Sequence, residues 1–308
     1  MGNNSKRETK CVINTKIISD NVKQIIKYNS DYKYYIGVVK GNAYGHGYEI
    51  VKTLVNSGIN YLAVSDLDEA NQVREFDKKT PILCLEPVDL MYMDFCSKNN
   101  ITMTISSYSY FENLKSKLDN AKNMKFHLKL NTGMNRLGLD KSSEIEEIFD
   151  YFNDSDHILE GIYTHLGVAG AGNKYYKNAV QKFEELTSSI ELSKIPIVHL
   201  FRSATIEQEE KLPYATGIRP GVLMFGGTQS KPAVNIIKRL LKPKPINSIA
   251  NYSDLKIGLS VKSKIIETRD VLPEEIVGYG LDYIADDDIK IGIIPIGYAD
   301  NFGSEYVG

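Results

Sequence analysis

The chain has 308 residues, 42% hydrophobic and 25% charged, with 37 basic against 39 acidic side chains. That composition fits a globular protein of one large or two smaller domains, long enough to bury a sizeable core. A formal charge of −2 offers no electrostatic footprint for nucleic acid or an anionic membrane, so neither is expected as a partner. The three cysteines, Cys11, Cys84 and Cys96, are odd in number and scattered, which argues against a disulfide framework and a cysteine-based zinc site. No metal is called for. The amino terminus lacks an apolar run of signal-peptide length, and no stretch approaches the ~20 apolar residues of a membrane span. The expected compartment is the cytoplasm.

Taken in chain order, short apolar runs at 35–40, 61–65, 81–85, 101–105, 125–130, 159–165, 196–200 and 218–224 read as strands. Amphipathic stretches such as 49–56, 68–75, 142–152 and 174–192 read as intervening helices. Continuous apolar strands joined by helical crossovers predict a parallel sheet. Eight such units in ~240 residues match a TIM (β/α)8 barrel, with an open doubly wound sheet as the alternative. After Gly226 the pattern changes. Residues 232–244 read as a helix or basic loop, and 247–256 as polar turns. Runs at 259–269 and 289–297 are β-rich with no helix between them, which predicts a second β domain. Two or three strands rarely make an independent domain, so this one is expected to be incomplete. The expected organisation is a barrel over 1–240 and a partial carboxyl-terminal β domain over 241–308.

The chemistry concentrates at Val39-Lys40-Gly41-Asn42-Ala43-Tyr44-Gly45-His46-Gly47. A lysine closes an apolar strand and enters a glycine-rich turn. On a barrel the carboxyl ends of strands carry the catalytic groups. A lysine neutralised by burial can form a Schiff base with an aldehyde cofactor. Further along stand Lys129-Leu130-Asn131-Thr132-Gly133-Met134-Asn135-Arg136, then Thr164-His165, His199 with Ser203, Arg219-Pro220-Gly221, Gly278-Tyr279-Gly280 and Pro295-Ile296-Gly297-Tyr298-Ala299-Asp300. In this order the segments resemble the alanine racemases, which join a TIM barrel to a carboxyl-terminal β domain and use pyridoxal 5'-phosphate.

The resemblance implies a role for each matching residue. Lys40 would carry the cofactor and act as one base, and Tyr279, from the partner subunit of a homodimer, would be the other. Tyr44, Ser203 and the amides of Gly221 and Val222 would hold the cofactor phosphate. Arg219 would face the pyridine nitrogen, and a guanidinium cannot take up a proton from it. The ring would then be a weak electron sink, which suits returning the α-proton promptly. His165, linked to Arg219, would assist Tyr279, because a phenol is a poor base at neutral pH. Arg136 would contact the substrate carboxylate, and Lys129 occupies a position that is carbamylated in some relatives. The implied reaction interconverts L- and D-alanine by two-base proton exchange and feeds cell-wall precursors.

Some positions depart from the family pattern. Arg202 stands where asparagine is usual, Asn131 where aspartate is usual and Phe225 where tyrosine is usual. Residues 166–170 lack the usual aromatic and acidic side chains. Serine or another small amino acid is therefore an alternative substrate. Family members also continue further, which leaves a catalytically impaired cofactor-binding homologue as another alternative.

Overall fold

The computed structural model describes residues 6–118, 123–170, 172–228 and 252–300. The chain opens with β1 (Lys10–Ile13) and α1 (Thr15–Tyr28). Eight strands follow: β2 (Tyr34–Val38), β3 (Tyr61–Val64), β4 (Ile82–Cys84), β5 (Ile101–Ile105), β6 (Lys125–Leu130), β7 (Ile158–Thr164), β8 (Ile197–Arg202) and β9 (Gly217–Arg219). They are parallel and form a closed barrel, sealed where Tyr34 and Tyr35 of β2 pair with Gly217 and Ile218 of β9. Each expected run overlaps one of these strands. Helices outside and side chains inside cover both faces, so β3 and β4 are buried at every position. The expected run 218–224 is shortened. Pro220 has no N–H to donate, so β9 stops at Arg219 and a 3-10 turn at Val222–Phe225 follows.

The crossovers include the left-handed turn α2 (Lys40–Gly45) and the helices α3 (Val51–Asn56), α4 (Leu67–Phe76), α5 (Met93–Lys98) and α6 (Tyr108–Leu118). After them come α7 (Ser142–Asn153), α8 (Lys174–Leu186) and α9 (Ser203–Gln208). Their starts follow ordinary capping chemistry. Asp66 accepts the Glu69 amide at the head of α4, and Asn173 accepts the Tyr175 amide at the head of α8. Helix α7 buries Ile145, Ile148, Phe149 and Phe152, a single stripe at helical spacing. The expected helix 174–192 ends at Leu186. The helices α1, α5, α6 and α9 add to those named from the sequence pattern.

The chain divides into two compact units, Thr15–Gly258 and Met1–Asn14 with Leu259–Gly308. The expected boundary at 240/241 lies outside the described residues, as do 232–244 and the first half of 247–256. Strand β1 joins the second unit because it pairs antiparallel with β10 (Leu259–Lys262). The expected run 259–269 is two strands. Its second part, β11 (Glu267–Val271), pairs instead with β12 (Ile289–Ile293). Also within this unit, Arg7 bonds Asp300 at 2.7 and 2.9 Å and the Pro295 carbonyl at 2.7 Å.

Inside the barrel, Ile36, Val38, Tyr61, Ala63, Leu83, Tyr163 and Ile197 form one buried apolar cluster. Beside it lie fully buried polar side chains, Thr102, Thr104, His127 and His199. Gly161 of β7 makes room for one of them, since a β-carbon there would sit 2.5 Å from the His127 ring. Gly161→Ala should therefore overpack the interior and cost about 1–3 kcal/mol. A urea titration should show a lower midpoint with unchanged slope, and an unchanged midpoint would mean the imidazole can move aside.

Candidate active site

Strand β2 ends against its neighbours. The Val38 amide bonds the Pro220 carbonyl at 2.9 Å, and the Val39 amide bonds that of Ala63 at 2.8 Å. Lys40 follows at once, half-buried at the carboxyl end of the barrel. The next four residues form a left-handed turn, with φ of 61° at Gly41, 53° at Asn42, 53° at Ala43 and 52° at Tyr44. Left-handed backbone costs an L-residue roughly 1–2 kcal/mol, and consecutive non-glycine residues rarely adopt it. The turn is held from outside. Glu69 of α4 accepts the Gly41 amide at 2.6 Å and the Ser65 amide at 2.8 Å, and the Tyr48 hydroxyl accepts the Asn42 amide at 3.3 Å. Its result is to send Tyr44 back over the barrel mouth.

There the Tyr44 hydroxyl meets Gly221, where a β-carbon would lie 2.7 Å from it. Only a glycine leaves this approach open. Ser203 Oγ, at the head of α9, accepts the Gly221 amide at 3.0 Å and the Leu223 amide at 3.3 Å. Two hydroxyls thus meet at the start of the 3-10 turn, and because the Ser203 oxygen accepts both amides its hydrogen is left to be donated, which makes a corner suited to an anion. Leu223 was not among the expected residues, and no sequence signal marks an amide whose side chain faces the core.

Arg219 is 3% exposed. Its guanidinium donates to His199 Nδ1 at 2.6 Å and to the carbonyls of His199 at 2.5 Å, Thr164 at 2.7 Å and Leu200 at 3.2 Å. Its carbon lies 5.3 Å from the Tyr163 ring centre. Burial lowers it to about 10, so it stays cationic at neutral pH. Among the described residues its side-chain acceptor is His199, whereas His165 was the expected one. His165 feels Arg219 through space. Burial first, then the positive charges of Arg219, Arg202, Arg136 and Lys129, hold it down to about 3.

Lys129 of β6 is 5% exposed, its Nζ 5.5 Å from the Tyr163 ring centre. Burial, then Arg136 and Arg219, lower it to about 8. A cavity of about 620 Å³ at the barrel mouth brings these groups together. It is lined by Lys40, Tyr44, Lys129, Arg136, His165, Ser203, Arg219, Gly221 and Val222, with Arg202, Tyr163 and Glu86 beside them. Every expected site residue is there except Tyr279, which stands in the second unit and is 97% exposed.

The first part of the chain, residues 13–229, matches the family of the alanine racemase N-terminal domain, and residues 258–307 match that of the C-terminal domain. The chain belongs to the alanine racemase family. It is an isomerase. The alanine racemase of Geobacillus stearothermophilus is 31% identical over 97% of this chain and 74% of its own length. The crystal structure of the alanine racemase from E. faecalis superposes with a TM-score of 0.83 at 29% identity, over 97% of this chain and 78% of that one. A histidine racemase from Leuconostoc mesenteroides shares the fold, with a TM-score of 0.78 at 22% identity over 97% of this chain and 77% of that one.

Three departures of this racemase from the family pattern have local explanations. Arg202 is tied down, its Nε donating to the Leu166 carbonyl at 2.7 Å and its NH2 to that of Gly167 at 3.0 Å. Asn131 does the work of an aspartate by accepting the Gly133 and Asn135 amides on Oδ1, while its own amide donates to Asn135 Oδ1 at 3.0 Å. It thereby shapes the loop that presents Arg136. Phe225 stacks on His46, ring centres 4.1 Å apart, and backs Tyr44 at 5.9 Å.

The buried imidazoles make stability pH-dependent. His127 and His199 are held below the ordinary histidine range, mainly by burial, and His165 at about 3. In the folded chain they stay neutral where the unfolded chain takes up protons. Stability should therefore be full above the ordinary histidine value of 6.5 and fall as pH drops through it, with the His165 contribution ending near about 3. Glu160, which burial alone would raise, is held at about 2 against its ordinary 4.5 by the nearby His127 ring and by hydrogen bonds from Lys125 and Tyr61, and it adds a further loss at lower pH. Guanidinium midpoints at pH 7.5 and 5.5 should show the drop. Equal midpoints would mean that the buried rings protonate at no cost.

Proposed function

We propose that the chain interconverts L- and D-alanine with pyridoxal 5'-phosphate as cofactor, feeding cell-wall precursor synthesis in the cytoplasm. One observation carries this reading: a single cavity joins a strand-end lysine, a donor-rich anion corner and a buried, fixed guanidinium. The residues present fit the group. Tyr44, Ser203 and the Gly221, Val222 and Leu223 backbone supply donors for a phosphate, and the space at Gly221 is closed to any side chain. When bound, the cofactor supplies an aldehyde for the Lys40 amine and a ring that draws electrons from the substrate α-carbon.

The protein's own residues do the rest. Arg219 presents only N–H donors and stays charged, so it supports an unprotonated ring nitrogen and limits the electron sink. Arg136 binds the substrate carboxylate. Lys40 moves the α-proton on one face of the substrate. Tyr279 serves the other face from a neighbouring copy, with neutral His165 as its helper. The exposure of Tyr279 and of the apolar Ile276, Leu281, Tyr283 and Ile284 around it supports a homodimer. Lys129 fits carbamylation. Its amine would add to carbon dioxide, forming an N–C bond and releasing one proton, and the resulting anion would face Arg136. Arg202 in the cavity wall favours, as a second reading, a small amino acid with a polar side chain such as serine.

Borohydride reduction of the protein mixed with pyridoxal phosphate should fix one pyridoxyl group, found by peptide mass spectrometry on Lys40. Tyr44→Phe should weaken cofactor affinity about 10-fold or more, because a hydrogen bond to a charged group contributes about 1.5–3 kcal/mol. Failure to label, or labelling at another lysine, would overturn the assignment.

Solvent deuterium exchange separates the two bases. Tyr279→Phe should remove exchange from one alanine enantiomer much more than from the other, since each base reaches only its own face. Equal loss for both would contradict the role given to Tyr279. Running L-serine beside L-alanine tells the two substrate readings apart.

A further inference from the structure

The barrel interior holds a polar line that the proposed reaction does not use. It starts at Arg219, at the carboxyl end of β9, and runs down through His199 of β8 and His127 of β6 to Glu160, near the start of β7. His199 Nδ1 lies 2.6 Å from Arg219 NH1, and His199 Nε2 lies 2.9 Å from His127 Nδ1. His127 Nε2 points at Glu160 Oε2, 3.7 Å away, and has no hydrogen-bond partner. Both imidazoles are completely buried. Glu160 is itself anchored. Lys125 Nζ donates to Oε1 at 2.9 Å, the Tyr61 hydroxyl donates to Oε2 at 2.7 Å, and Thr102 Oγ1 reaches Oε2 at 3.3 Å.

Donor and acceptor rules leave one arrangement of protons along this line. A guanidinium has no lone pair to offer, so His199 Nδ1 must accept. A neutral His199 then carries its hydrogen on Nε2 and donates it to His127 Nδ1. His127 must in turn carry its hydrogen on Nε2, directed at the carboxylate. Reversing His199 sets its N–H against an N–H of Arg219, and reversing His127 alone sets its N–H against that of His199, in a dry interior where an unmade hydrogen bond is costly. The carboxylate at the far end favours the same direction as the guanidinium, because a carboxylate can only accept, so the two ends together hold the chain in one order.

We propose that Glu160 is a positioning residue for Arg219: by fixing the tautomer of His127, and through it that of His199, it keeps an acceptor aimed at the guanidinium at the cavity floor. The importance of Arg219 rests on the function proposed above, but the tautomer chain does not. A glutamine in place of Glu160 keeps the size and offers an amide N–H, which permits the reversed chain. Glu160 touches neither cavity nor cofactor site, so its effect must travel through the two rings.

The test is long-range proton–nitrogen correlation on 15N-histidine-labelled protein, which distinguishes a protonated from an unprotonated ring nitrogen. In the wild type His127 and His199 should both show unprotonated Nδ1 and protonated Nε2. In Glu160→Gln the His199 Nδ1 signal should shift towards the protonated range, and pyridoxal phosphate affinity should fall several-fold. Lys125→Met, which leaves the carboxylate in place, should keep the wild-type pattern. A protonated Nδ1 on either ring in the wild type overturns the inference, even if Glu160→Gln does not fold. So does an unchanged pattern in a folded Glu160→Gln. The expected shift in a protein that takes up no pyridoxal phosphate would uphold the tautomer chain and overturn the cofactor reading alone.

Discussion

The structure turns on one buried charge. Arg219 is almost wholly withdrawn from water, and among the described residues no carboxylate is one of its hydrogen-bond partners. Burying an unpaired cation is expensive, and the cost is reduced as its donors find acceptors. Three carbonyls and one imidazole take up four of its five N–H groups, and they come from β7 and β8. Those strands must therefore stop in register with β9, which Pro220 ends one residue later. The pairing of Arg202 with Arg219 across β8 and β9 is the backbone expression of the same requirement. With an imidazole as its side-chain partner among the described residues, the guanidinium's charge is uncompensated there and so directed into the cavity.

The second constraint is the left-handed turn after Lys40. Four residues in a conformation costing an L-residue roughly 1–2 kcal/mol do not arise from local preference, since three of them carry a β-carbon. Tertiary contacts impose it. Glu69 pins its first amide, the Val39 carbonyl takes the Ala43 amide at 2.8 Å, and Ala43 is fully buried. A right-handed continuation would carry Tyr44 away from Gly221 and leave the anion corner without its phenol. Strain is held here because the geometry it gives cannot be reached more cheaply.

These two constraints show why some of the molecule is legible in the sequence. The eight barrel strands are visible because burial on both faces demands apolar runs, and the runs at 101–105 and 125–130 coincide with β5 and β6. In the second unit β10 and β11 are largely exposed, so no core pattern marks the break between them. The place of β1 is invisible for another reason, since its partner lies some 250 residues away and nothing local records the pairing. Within the site, Lys40, Tyr44, Ser203 and Arg219 stand in recognisable order. Glu69 and Glu160 do not. The first resembles any acidic residue in a helix's first turn, and the second interrupts a strand without a motif around it. His127 reads as a core histidine, which it is. Its alignment with His199 is a property of barrel closure.

The charges around the cavity follow from the same geometry. Lys40, Lys129, Arg136, Arg202 and Arg219 line it, with Glu86 as the one carboxylate among the described lining residues. Cations so close in a poorly solvated space raise one another's energy, and the group that can shed its proton yields first. Arginine holds its proton too tightly, whereas a buried lysine gives way, and Lys129 is lowered to about 8. His165 yields further and, held down to about 3, is neutral at ordinary pH. Anions relieve this crowding, and a phosphate dianion in the Tyr44–Ser203–Gly221 corner and a substrate carboxylate at Arg136 together would supply most of the missing negative charge. Arg202 adds one cation beyond the family pattern, but two backbone carbonyls already engage it, so it screens the cavity wall more than it attracts a third anion. The field therefore favours an α-amino acid whose side chain carries no positive charge, and it does so before any contact with that side chain is made.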